Sequence, residues 1–157
     1  MDRRDIGSWL SGPKAALEEQ GLEFGYPGER FGLPKSGVGS AARFGRRILA
    51  LSLDWFAAIL VTNLILPDLV YGDVDFAAAT LAVFAFEVAF LTATTGSSFG
   101  YKILGLRLVS VSAAPLNIMK ILVRTALLCL VFPAMIWDRD GRGLHDKIIG
   151  SIVMKSR

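Results

Sequence analysis

Two apolar runs dominate the chain. Residues 48–66 and 76–95 each hold about 20 residues, the length a helix needs to cross roughly 30 Å of hydrocarbon, and each is broken by one acid, Asp54 in the first and Glu87 in the second. The pattern predicts two spanning helices. The segment between them, PDLVYGDVD, is short, so the second helix runs antiparallel to the first. Arg43, Arg46 and Arg47 stand at the start of the first run, the connecting loop carries Asp68, Asp73 and Asp75 and no base, and Lys102 and Arg107 follow the second run. Because bases are retained on the cytoplasmic side, this asymmetry predicts a cytoplasmic N-terminus and an external loop.

A third apolar segment, Ile118 to Trp137, reads differently. Lys120 and Arg124 occupy its first third, Pro133 lies near its end, and only Thr125 to Trp137 is free of charge. Both flanks are basic, so a simple third crossing would place one of them outside, against the orientation rule. The favoured reading is a surface helix around Asn117 to Leu128 followed by a short re-entrant or shallow segment; a true third span is the alternative. Between the apolar runs, Leu106 to Val111 (LRLVSV) alternates in character, and Ser151 to Lys155 (SIVMK) is a second strand-like run. Pairing them satisfies backbone groups that a lone strand would leave open, and predicts a small two-stranded sheet on the cytoplasmic side. The fold class expected is therefore an all-α membrane protein with two antiparallel transmembrane helices, a third apolar segment and this small β pairing.

Residues 1–41 form a polar extension and residues 42–157 the membrane domain. The extension holds one short helical candidate, Pro13 to Gln20, in which Pro13 suits a first turn, and the stretch GYPGERFGLPKSGVGS reads as an extended linker. No continuous apolar core with a cleavage site lies in the first 40 residues. The chain is expected to start in the cytoplasm and to insert through its own spans.

Composition narrows the function classes. At 157 residues and 53% apolar content, the chain suits one membrane domain with a tail. A formal charge of +3, with bases gathered at the ends of apolar runs, gives no basic stripe for nucleic acid. The single cysteine, Cys129, excludes an intramolecular disulfide and a cysteine-built zinc site, and a buried, inert thiol is its expected role. His145, the one histidine, stands beside Asp146 but provides neither a triad with an evident nucleophile nor a metal set; a structural role at the headgroup level is expected, with Asp146 capping a local helix or pairing with Arg107 or Arg124. No cofactor, no metal and no enzymatic activity are expected. Trp55, Trp137, Tyr71 and Tyr101 suit anchoring at the membrane interface.

The remaining chemistry lies in the membrane acids. Arg47 and Asp54, seven residues apart, share one helical face, and Asp54 and Glu87 fall at matching depth, roughly 9 to 12 Å below the inner surface on the standard helical rise. Two readings stand. If the faces meet, the acids form one carboxylate site suited to proton coupling or cation binding. Alternatively, Arg47 and Arg124 neutralise Asp54 and Glu87 in a structural ion network that fixes helix packing.

Four segments, GRRILALSLDWF, TGSSFGYKILGLRLVSV, MKILVRTALL and WDRDGRGLHDKIIGSIVMK, together covering about residues 42 to 155, resemble the RDD family of small bacterial membrane proteins, named for one arginine and two aspartates. The resemblance implies that Arg47 is the family's arginine, Asp54 its first aspartate and Asp146 its second. Ser151 stands where the family usually has a threonine, which keeps the hydroxyl, and GSWLSGPKAALEE is similar to an extension of actinobacterial members. The expected function is movement of an ion or small solute across the cell membrane, by an oligomer, through Arg47, Asp54 and Glu87. The alternative is a non-catalytic accessory or assembly subunit of a larger membrane complex.

Overall fold

The computed structural model describes residues 25–112, 115–130 and 142–157. The two expected long apolar helices are present as α1 (Phe44–Ile65) and α2 (Val74–Thr95), each of 22 residues and so about 33 Å long. Both are long and apolar enough to cross a membrane, and the rest of the chain covers only a minor part of either. One stripe of α1 faces inward, Arg47, Ala50, Asp54, Ala58 and Thr62, spaced by three or four residues as one helical face requires. It meets Phe76, Thr80, Phe84, Val88 and Thr92 of α2. The small Ala50 and Ala58 let the helices approach closely, as membrane helices do where no water drives them together. α2 ends at Gly96, which adopts φ 75 and donates its N–H to the Thr92 carbonyl; glycine is the residue that takes this left-handed cap without strain.

From Gly96 the chain turns back toward the helix pair. A short helix, α3 (Phe99–Ile103), is capped by Ser98, whose hydroxyl accepts from the Tyr101 N–H. Strand β1 (Leu106–Ser110) follows, then α4 (Ile118–Cys129), α5 (Leu144–Ile148) and β2 (Ser151–Lys155). β1 and β2 pair antiparallel, Leu106 opposite Lys155 and Ser110 opposite Ser151, as the alternation predicts. The sheet packs on the Arg47 end of α1 through Ala42, Ala50, Tyr101, Leu106, Leu108, Ile149 and Val153. A second apolar cluster, Ala58, Phe84, Val88 and Leu128, joins α1, α2 and α4.

α4 presents an inverted surface. Its inward face is Ile121, Arg124, Thr125 and Leu128, while Ile118, Met119, Leu122 and Val123 are exposed. A buried arginine behind an apolar outer face suits a helix bedded in lipid instead of water. The helix expected from Asn117 to Leu128 is thus present, with Asn117 accepting from the Lys120 N–H at 2.9 Å. The re-entrant segment or third span expected after it lies outside the described residues, as do Trp137 and the Pro13 to Gln20 helix.

Three expectations are corrected. The stretch read as an extended linker is docked at its end: Gly39 N–H donates to the Lys155 carbonyl, Lys155 N–H to that of Ser40 and Ala42 N–H to that of Val153, so residues 39–42 line the open edge of β2, where unpaired backbone groups attract a partner. Trp55 lies midway along α1, edge-on to Phe84 at 5.6 Å, and not at an interface. Cys129 is only partly buried, at the edge of an apolar groove shared with Leu51, Trp55 and Phe84.

Candidate functional site

The end of the helix pair where α1 begins and α2 finishes carries two linked clusters of buried charge. The first is built on Asp146. α5 starts after Gly143 and places Asp146 in its first turn, fully buried. One carboxylate oxygen, Oδ2, accepts from Arg47 Nη2 of α1, and the other, Oδ1, accepts from Arg124 Nε of α4 at 2.8 Å. Arg124 also donates from Nη2 to the Tyr101 hydroxyl at 3.2 Å and lies over the Tyr101 ring at 5.8 Å. His145 is buried, with Nε2 3.5 Å from Asp146 Oδ1.

A single carboxylate thus holds three helices together. Burial acts to raise the pKa of Asp146, but Arg124, Arg47 and the neighbouring His145 outweigh it and hold the carboxyl at about 2. Removing one partner from such a set would strand a charge in a dry interior, which costs far more than the net worth of the intact pair.

The second cluster gathers the two membrane acids around the start of α3. Asp54 Oδ2 accepts from the Ser98 hydroxyl at 2.6 Å and Oδ1 from the Gly100 N–H. Glu87 Oε1 accepts from the Phe99 N–H at 2.9 Å. Three consecutive residues therefore offer donors to carboxylates from both spanning helices, and hydrogen bonds to an ionised acceptor are the strong ones. The approach depends on Gly100: a Cβ there would overlap the Ala50 carbonyl and press on Asp54 Oδ1. Glu87 Oε2 is buried and has no hydrogen-bond partner.

The structure places every candidate residue at this end, but not in the pairing expected. Arg47 and Arg124 do not neutralise Asp54 and Glu87; both turn to Asp146. The physical reason is supply. Backbone and hydroxyl donors of α3 already serve the acids, whereas α5 brings a carboxylate between the guanidiniums. Asp146 pairs with Arg124, one of the partners expected, and does so in place of capping a helix; His145 packs inside the protein against Gly143 and Asp146 and not at the headgroup level. Asp54 and Glu87 both accept hydrogen bonds from the start of α3.

Sequence reasoning missed Ser98, Gly100 and Tyr101 as site residues. The available signal was Ser98 followed by a glycine two residues on, shortly after Gly96, a pattern for a capped turn with a close backbone approach. Tyr101, expected at the interface, is buried beneath Arg124.

No curated protein and no solved structure matches the chain. The profile of the RDD family matches residues 41–150, a stretch that begins beside the segment docked on β2, contains Arg47, Asp54 and Asp146 together, and ends just before β2. The chain belongs to the RDD family of membrane proteins.

Proposed function

We propose that the protein is a multi-pass protein of the cell membrane that moves an ion or small solute across it, with Glu87 as the group that takes up and releases a proton. The observation that carries this reading is the unequal use of the Glu87 carboxyl: Oε1 is held by Phe99 N–H, while Oε2 is buried without a partner. That oxygen is the one position at the α1–α2–α3 junction, among the described residues, where a proton or small cation can enter without displacing a donor already in use. Because Asp54 grips the same turn, any change at Glu87 is felt by α3. Arg47 and Arg124 act on this junction from the Asp146 side.

The N-terminus, the sheet and α5 are assigned to the cytoplasm. Exposed Arg43 and Arg46 at the start of α1, against exposed Asp68, Asp73 and Asp75 in the α1–α2 loop, support that orientation. Two packed helices enclose no passage by themselves, so a homo-oligomer in the bilayer is part of the reading, and the role is non-catalytic.

The test is flux into liposomes of defined lipid. Proton-coupled cation movement by the wild type, lost in both Glu87→Gln and Asp54→Asn, supports the reading; wild-type flux that survives Glu87→Gln sinks it.

A second reading, an accessory or assembly subunit of a larger membrane complex, is favoured by a different observation. Asp146 is saturated by Arg47 and Arg124, as befits a structural lock, and the groove of about 410 Å³ lined by Leu51, Trp55, Phe84 and Leu128 opens sideways, where a neighbouring helix would lie. Absence of flux together with a stable co-purifying membrane partner would select it.

A further inference from the structure

We propose that the hollow between the end of α2 and strand β1 binds a phosphate group, either the headgroup phosphate of an anionic phospholipid or free phosphate. The hollow measures about 360 Å³ and is lined by Thr94, Thr95, Arg107 and Ser110, with Leu116 and Ile121 on one side. Its charge is unbalanced. Arg107 is exposed and makes no side-chain hydrogen bond or ion pair with the described residues, and no acid lines the hollow among the described residues. A planar guanidinium is the side chain best matched to phosphate oxygens.

The C-terminus of a helix ordinarily repels an anion, and here the Arg107 guanidinium stands opposite that end. Thr94 Oγ1 donates to the Phe90 carbonyl and Thr95 Oγ1 to the Leu91 carbonyl, each at 2.8 Å, while Gly96 N–H takes the Thr92 carbonyl. Of the last four carbonyls of α2, that of Thr92 is thus engaged, and the Arg107 charge is set against the others. Ser110 Oγ lies 2.9 Å from Ser112 Oγ, where either hydroxyl can donate, and so can turn a proton toward a new acceptor.

Position adds to the chemistry. The hollow sits at the end of α2, where a spanning helix emerges from hydrocarbon and lipid phosphates are found. Leu116 and Ile121 provide an apolar wall for the glycerol and first methylenes of a lipid. The inference is independent of Glu87, because the hollow shares no residue with the Asp54–Glu87 junction.

Native mass spectrometry of full-length protein released from nanodiscs of mixed phosphatidylglycerol and phosphatidylcholine tests it. Wild type is expected to retain phosphatidylglycerol in preference, and Arg107→Gln to retain roughly tenfold less, the loss expected of one charge-assisted contact. Lys147→Gln, which removes an exposed base outside the hollow, should retain as much as wild type. Retention unaffected by millimolar inorganic phosphate identifies the lipid as the source; a phosphate adduct in pure phosphatidylcholine that competes with phosphatidylglycerol identifies free phosphate. Equal loss in Arg107→Gln and Lys147→Gln, or equal retention in all three proteins, overturns the site. If Arg107→Gln does not fold, Arg107→Lys is read on the same scale: a several-fold loss supports the site and wild-type retention overturns it.

Discussion

Asp54, nearly three turns inside α1, accepts a 2.6 Å hydrogen bond from Ser98, the cap of α3, 44 residues later in the chain. Both carboxylate oxygens are acceptors here, because the Gly100 N–H takes the other. Asp54→Asn turns one acceptor into an NH₂ donor facing another donor, and should lower stability by about 1–3 kcal/mol. Ser98→Ala should cost about 1 kcal/mol, and the double variant less than the sum, since both remove the same contact. Thermal unfolding in detergent, read by circular dichroism, checks all three.

Asp146 offers a sharper contrast. Asp146→Ala would leave Arg47 and Arg124 facing each other without an anion, at a cost on the order of 3–5 kcal/mol, and should yield protein that extracts poorly. Adding Arg124→Met removes one of the stranded charges and should restore part of the yield. A double variant no better than the single would show that the guanidiniums are not in conflict.

The depressed pKa of Asp146 fixes the sign of a pH dependence. Its ordinary value is 3.8 and its folded value about 2, so the protein binds fewer protons at this site than the unfolded chain does, and the stabilisation is complete above about 4. It should disappear as pH falls from about 4 to about 2, by an amount on the order of 2 kcal/mol. Acid titration of unfolding should show that step in the wild type, and Asp146→Asn, with nothing to titrate, should lack it.

Gly100 makes a steric prediction. Gly100→Ala would drive a methyl group into the Ala50 carbonyl and push α3 off the spanning helices, so folded yield should fall steeply. Gly45→Ala, where a Cβ meets nothing within 4 Å, should be neutral or stabilising by up to about 1 kcal/mol because alanine favours helix. The two variants expressed side by side separate crowding from a general intolerance of substitution.

Much of this architecture was legible from residue order alone. Apolar length marks α1 and α2, the alternation of LRLVSV and SIVMK marks both strands, and the seven-residue spacing of Arg47 and Asp54 puts them on one buried face. The partnership of Arg47 with Asp146 was not legible, because the two are 99 positions apart and no periodicity links α1 to α5. Nor was the role of α3, since its donors are mainly backbone N–H groups, which every residue but proline carries and which leave no mark in composition. The docking of Gly39 to Ala42 was hidden in the same way: a glycine-rich stretch has the composition of a linker whether or not its main chain is paired.

That docking sets an order of assembly. β2 is held on one side by β1 and on the other by residues 39–42, so the segment ahead of α1 has no edge to join until residues 151–155 have left the ribosome. Both spanning helices are by then made, and synthesis at about 5–20 residues per second leaves them several seconds in the bilayer before the arginine clamp and the sheet can close. Nascent chains cut short before Ser151 should therefore insert normally yet keep their inner face open to proteases.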